Sequence, residues 1–295
     1  MKSGATESSF YYLAQHYKFP ENVEVSRSIE ELIQSNKQYK ILWAHDNCDQ
    51  PQLLRLPEFV SQIDRIVCVS NWEAEQYIKY NRAPADKITV IHNGITDEFK
   101  PYDKKSKTGI FFSAPHKGIV PLPKIWKQVI KNHPDAKLKV FSSYDLYGQD
   151  HVERNKIQEH FDAIEELKSL PGVEYSICID REELLPHIQD AAFFIHPNVW
   201  EETFCVSMAE AMACGCLVIA SRSGTLPELV QNAGWLFEEG NEAELEKLLR
   251  QALDLSELHD RKKVSKYAFN FLSVSTQRKS MMAVLDDILL NKFLK

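Results

Sequence analysis

The stretch FFIHPNVWEETFCVSMAEAMACGCLVIAS, Phe193 to Ser221, decides how this chain is read. An apolar run stops at His196-Pro197, a loop carries Glu201 and Glu202, small residues surround Glu210, and a second apolar run follows at Leu217–Ala220. Strand, helix and strand in that order form the unit of a parallel sheet, because parallel neighbours need a crossover between them. The helix is expected over Cys205 to Ala213, with its first turn opening near Thr203. Free backbone N–H groups at such a helix start, with the positive end of its dipole, favour an anion, and a nucleotide diphosphate fits. Glu210 sits among Ala209, Ala211, Ala213 and Gly215, so close packing is expected around its carboxylate. Two roles stand open for it, acceptance of vicinal ribose hydroxyls or a structural hydrogen bond.

The same alternation extends outward. Strands are expected at Ile110–Ser113, Leu138–Phe141, Tyr175–Ile179 and Ala192–His196, with helices at Leu122–Asn132, roughly Asp150–Leu170, Arg181–Ile188 and Glu242–Leu253. These units make a doubly wound α/β domain, whose ligands bind beyond the carboxyl ends of its strands. Nearer the N-terminus, apolar runs at Val23–Val25, Ile41–Ala44, Ile66–Val69 and Ile88–Ile91 alternate with helical patterns at Ile29–Gln38 and Trp72–Asn81, a second parallel sheet. The polar, lysine-rich PYDKKSKTG after Lys100 reads as a linker. The expected organisation is therefore a small N-terminal Rossmann-like domain over residues 1–100, a donor-side domain over 101–275, and a C-terminal helix within 276–295 that packs back on the first domain. A helix is expected from Ser3 to Tyr17 with no strand before it. The last helix, Arg278 to Leu294, puts Met281, Met282, Leu285, Ile288, Leu289 and Phe293 on one side. Asp286 and Asp287 mark it as a packing helix rather than a membrane anchor.

Composition narrows the function classes. At 295 residues, 44% hydrophobic and 26% charged, the chain has material for two cores. Its net charge of −7 is spread without a long basic block, which excludes nucleic acid as the expected partner. No secretory leader pattern and no apolar run of about 20 residues occur, so a cytoplasmic protein without a transmembrane segment is expected, peripheral membrane contact remaining open. Cys48, Cys68, Cys178, Cys205, Cys214 and Cys216 show neither CxxC pairs nor a disulfide framework, and no zinc is expected even at Cys205 with Cys214-Gly-Cys216. DNCD at Asp46–Asp49 lacks the spacing of a metal motif.

The ordered motifs resemble glycosyltransferase family 4. Glu202, seven residues and Glu210, then Ala-Met-Ala-Cys-Gly and Gly224-Thr-Leu-Pro-Glu228, look like its donor-binding signature. VSNW at Val69–Trp72, IHNGI at Ile91–Ile95 and SAPHKG at Ser113–Gly118 match in order. The resemblance implies a GT-B fold, two Rossmann-like domains facing a central cleft, here with a shortened N-terminal domain lacking its first strand. It implies a retaining, metal-independent hexosyltransferase that moves sugar from a nucleotide diphosphate sugar to a hydroxyl of a glycan, lipid or other small acceptor. The nucleotide sugar is a substrate, and no cofactor is implied. Glu202 would meet the donor sugar, Glu210 the ribose and Lys117 the diphosphate. Ser113, Thr203 and the backbone of Phe204, Cys205 and Val206 complete the donor site, with the base against Asp180 and Arg181. His45, closing the strand ILWAH, would touch the donor sugar or the leaving phosphate's surroundings; a lone histidine at a strand end is otherwise usually a satisfied structural residue. The chain departs from the family at Phe112-Ser113-Ala114, where an Arg often precedes the loop Lys, and at Cys205, where glycine is common. A noncatalytic nucleotide-sugar-binding module or assembly subunit, or a GT-B-type sugar-nucleotide epimerase, would share the cleft.

Overall fold

Short runs of β-branched and aromatic residues cannot bury both faces alone, and each sheet here is covered by helices on both sides. The structure is a computed structural model that describes residues 18–102, 106–145 and 158–290. The first domain runs β1 (Val23–Ser26), α1 (Ile29–Gln34), β2 (Tyr39–Trp43), α2 (Leu56–Phe59), β3 (Arg65–Cys68), α3 (Asn71–Tyr80) and β4 (Ile88–Val90). Its sheet is parallel, in the order β1-β2-β3-β4. The pleat sends Ile41, Trp43, Val67 and Val69 into one core and Leu42, Ala44, Ile66 and Cys68 into another. Ser70 caps α3 by accepting from Glu73 N at 3.0 Å, and Glu73 Oε2 accepts from Val69 N at 2.7 Å, a reciprocal arrangement that locks the strand-to-helix turn. Burial pushes the Glu73 carboxyl well above the usual carboxylate range.

The second domain runs β5 (Thr108–Phe111), α4 (Leu122–Asn132), β6 (Lys137–Phe141), α5 (Gln158–Lys168), β7 (Val173–Ser176), α6 (Arg181–Asp190), β8 (Phe193–His196), α7 (Val206–Ala213), β9 (Leu217–Ser221), α8 (Leu226–Val230), β10 (Gly234–Phe237), α9 (Glu242–Asp254), α10 (Arg261–Leu272) and α11 (Val274–Leu290). Its sheet is parallel in the order β10-β9-β8-β5-β6-β7. The chain leaves β5 toward β6 and β7, then crosses back to β8 and beyond. The strand order therefore reverses between β5 and β8, where a doubly wound sheet opens its ligand crevice. The loops after these two strands carry Ser113–Gly118 and Glu201–Cys205.

Several expected elements shift. α1 ends at Gln34, not Gln38, because Ser35 Oγ donates to Glu24 at 2.9 Å and accepts from Lys37 N at 3.2 Å, local bonds that compete with the helix. The α5 pattern begins within residues outside the description, as does the expected helix from Ser3 to Tyr17. α7 starts at Val206 rather than near Thr203. α11 begins at Val274; it buries Met281, Val284, Leu285 and Ile288, while Met282 is 45% exposed, and Phe293 lies outside the described residues. Asp287 of α11 pairs with Arg65 of β3, and Ile95 N donates to Leu272 O at 2.6 Å, so α11 and the end of α10 return to the first domain.

Candidate functional site

α7 is buried on nearly every side, which fits a helix whose sequence is small and apolar all round. No side chain caps its start at Cys205, so that end keeps backbone donors for another acceptor. Its other end is closed by Arg261, whose Nη2 donates to Cys214 O at 3.0 Å and Gln189 O at 2.6 Å.

Two carboxylates are paired with cations, one in the loop before this helix and one within it. Lys117 Nζ lies 2.9 Å from Oε1 and 3.0 Å from Oε2 of Glu202. His196 Nε2, on a ring wholly buried and stacked on Phe194, lies 3.3 Å from Glu202 Oε1 and 3.5 Å from Cys205 Sγ. Burial alone would raise the Glu202 pKa, but the Lys117 charge and the His196 bond outweigh it and bring it to about 2. Burial alone would lower His196, but Cys205 and Glu202 overcome it and raise the imidazole to about 9. Glu210, buried, pairs with Arg181, whose guanidinium also stands 5.0 Å over the Phe99 ring. Ser113 Oγ lies 3.3 Å from Ser207 Oγ in the first turn of α7. Asp180 takes the cap position of α6 without a side-chain cap bond. The structure thus gathers Lys117, Glu202 and Cys205 around His196 and sets Ser113 against Ser207 in the first turn of α7, while Glu210, further along that helix, is joined to Arg181.

Close backbone contact makes this possible. The turn Pro115–Lys117 ends on Gly118 at φ 109°, where a Cβ would lie 2.4 Å from Pro197 O. Gly224, at φ 51°, would put a Cβ 2.5 Å from Glu202 N.

Two expected residues lie at the domain boundary. The His45 ring is 6% exposed, with Nδ1 3.2 Å from Trp43 O and Nε2 3.2 Å from Asn93 Oδ1. Burial and then the Arg27 charge lower its pKa to about 4. What crosses the domain boundary is its carbonyl, which accepts from Thr203 Oγ1 at 2.7 Å. Thr203 O in turn accepts from Ser70 Oγ at 2.7 Å, so Thr203 ties the two domains instead of opening the helix. His196 and Glu228 were given no role from sequence, although His196 closes an apolar run and Glu228 ends the motif Gly224-Thr-Leu-Pro-Glu228. Among the described residues, the ligating atoms of His196, Glu202 and Cys205 lie within 4.8 Å of one another, close enough to hold a metal ion. No helix among those residues is long and apolar enough to cross a membrane.

Two parallel-sheet domains with the reversal point of the larger facing the smaller define a GT-B glycosyltransferase fold. The solved structure of Anabaena Alr3699/HepE in complex with UDP is similar, with a TM-score of 0.76 at 17% identity, covering 96% of this chain and 82% of that one. A glycosyltransferase from Rickettsia africae aligns with a TM-score of 0.73 at 15% identity, over 97% of this chain and 80% of that one. Residues 97–271 match the family described as glycosyl transferases group 1, and residues 44–99 match glycosyltransferase family 4. The chain belongs to this group of glycosyltransferases. Curated relatives include the phosphatidylinositol N-acetylglucosaminyltransferase GPI3 subunit of Saccharomyces cerevisiae, 25% identical over 68% of this chain and 47% of the relative. A D-inositol 3-phosphate glycosyltransferase of Mycobacterium sp. is 26% identical over 64% of this chain and 44% of the relative. The chain spans about half the length of the curated relatives it matches.

Proposed function

We propose that the chain moves a hexose-type sugar from a nucleotide diphosphate sugar to a hydroxyl of a glycan, lipid or other small acceptor, with retention of anomeric configuration and no required metal ion. The observation that carries this reading is the pair of cation–carboxylate contacts, Lys117–Glu202 in the loop before the uncapped start of α7 and Arg181–Glu210 further along that helix. A diphosphate seated at that helix start draws Lys117 toward its own charge, and the N–H groups of Phe204, Cys205 and Val206 with the Ser113 hydroxyl supply further donors. Glu202, released by Lys117 and still held ionised by His196, accepts hydroxyls of the sugar. Glu210 exchanges Arg181 for the ribose hydroxyls, and the base rests by Asp180 and Arg181. The bond from the sugar's anomeric carbon to the phosphate oxygen breaks as the acceptor oxygen bonds to that carbon on the same face. Lys117 and the helix dipole stabilise the leaving diphosphate, which takes the acceptor's proton. His45 serves this reaction by holding Thr203.

The names of the two curated relatives both contain inositol, so an inositol ring hydroxyl is the first acceptor to try. We place the reaction in the cytoplasm, with contact to a membrane surface where the acceptor is a lipid. The test is a thermal-shift screen of UDP, GDP and ADP with their hexose conjugates, in which a ligand at 100 times its dissociation constant stabilises by about 2.7 kcal/mol. Turnover of the selected donor is then followed with and without acceptor. Transfer or hydrolysis supports the reading. Binding with no turnover indicates a binding module, and conversion of the donor sugar without acceptor indicates an epimerase.

A further inference from the structure

Beside the contacts that α10 and α11 make with the first domain, a second set of interdomain contacts gathers around the loop that carries Glu202 and the neighbouring start of α8. Glu228, in the first turn of α8, sets one carboxylate against the start of α3 in the other domain. Its Oε1 accepts from Asn71 N at 3.0 Å and Asn71 Nδ2 at 2.8 Å, and its Oε2 accepts from Trp72 N at 3.1 Å. His92 Nε2, from the segment after β4, lies 2.9 Å from the same Oε1. A carboxylate on two backbone N–H groups at a helix start is a cap, supplied here from another domain. Burial alone would raise the Glu228 pKa, but His92 and these N–H groups hold it below the ordinary value.

The segment that bears Glu228 also fixes the Glu202 loop. Thr225 N donates to Glu202 O at 3.0 Å, beside the Gly224 contact described above. From the first domain, Asn47 Nδ2 donates to Glu201 O at 3.1 Å, His45 O accepts from Thr203, and Ser70 Oγ donates to Thr203 O at 2.7 Å. Glu201–Thr203 is therefore gripped from both domains, and the turn Ser70–Trp72 contributes to both grips. Three motifs distant in sequence, VSNW, IHNGI and GTLPE, meet at one carboxylate.

We infer that Glu228 is a positioning residue whose clasp on the start of α3, shared with His92, holds the two domains closed and sets the geometry of the Glu202 loop. The consequence for turnover rests on the proposed role of Glu202; the consequence for closure does not. Glu228→Gln keeps the size of the side chain but removes its charge and leaves one accepting oxygen where there were two, turning an NH2 toward an N–H donor, so it weakens the clasp with little loss of packing.

The experiment uses the full chain as wild type, Glu228→Gln, His92→Gln and the double variant. Small-angle scattering without ligand reads closure, calorimetry with whichever of UDP, GDP or ADP the thermal screen selects reads the nucleotide site, and steady-state turnover of its hexose conjugate reads the reaction. Glu228→Gln is expected to raise the radius of gyration and to lower kcat about tenfold or more, with KM and nucleoside diphosphate affinity changed less than about threefold. The double variant is expected to be no worse than Glu228→Gln alone, because one interaction is lost only once. His92→Gln, which leaves α8 native, reads the same clasp should Glu228→Gln fold poorly. Unchanged scattering in both single variants overturns the inference, as does a kcat loss matched by an equal loss of diphosphate affinity. Expansion in a chain whose wild type turns over no donor upholds the clasp and defeats the enzyme reading.

Discussion

His45 gives the fold a weakness in acid. Its folded pKa of about 4 lies below the ordinary 6.5, so between those values the unfolded chain binds the extra proton. Its contribution is therefore fully present above pH 6.5 and is lost as pH falls toward 4, by up to about 3 kcal/mol. Glu202, held at about 2, titrates below that window, its contribution being lost as pH falls from about 4.5. Urea midpoints of wild type and His45→Gln from pH 7 to 4 are expected to show a steep fall in wild type that flattens in the variant; parallel curves would remove His45 from the account. Lys117→Ala is expected to weaken a nucleoside diphosphate about tenfold or more while leaving the nucleoside nearly unchanged, because only the former carries charge for the ammonium to meet. Calorimetry with both ligands checks it, and equal losses would place Lys117 elsewhere. The spacing of Glu202 and Glu210 was readable in the sequence, as was the loop lysine. The part played by His196 was not, since it depends on Cys205 and Glu202 being brought to one ring nitrogen in space.

At the scale of elements, period and punctuation carried far. α4 lies over Leu122–Asn132 as its periodicity implies, and most strands fall within two residues of their apolar runs. β10, α8 and α10 escaped because GWLF is short, LPELV spans barely more than a turn, and RKKVSKYAFNFL mixes its charges into the apolar face. The late start of α7 has a tertiary cause: Thr203 is held by bonds to the other domain before the helix can begin. Gly224 is the element-level test. An alanine there meets an unfavourable φ of 51° and a contact of 2.5 Å with Glu202 N, so the loop must move. Gly224→Ala is expected to cost about 1–3 kcal/mol in stability and to lower turnover beyond what stability explains. Denaturant titration and turnover at a temperature well below the melting point separate the two effects; native turnover would show that the Glu202 loop tolerates displacement.

Across the whole molecule, the two sheets contribute to one continuous core, in which Trp43 and Val69 of the first domain and Phe204 and Ile288 of the second belong to the same cluster. Such an interface was illegible in the sequence, because its bonds join residues as far apart as Asn71 and Glu228, and no local pattern marks them. The sequence did identify two parallel-sheet domains, the second of them doubly wound, since alternation of strands and helices dictates both. The proposed donor lies extended along the cleft between them, its nucleotide at Glu210 and its sugar at Glu202. The most direct measurement is calorimetric titration of the selected nucleoside diphosphate into wild type, Glu210→Gln and Glu202→Gln, with melting temperatures recorded for each. Glu210→Gln is expected to weaken binding about tenfold or more, through loss of a buried carboxylate that accepts ribose hydroxyls, while Glu202→Gln leaves it within about twofold. Equal weakening in both variants, or losses that follow melting temperature alone, would contradict the assignment of nucleotide and sugar to separate ends of the site.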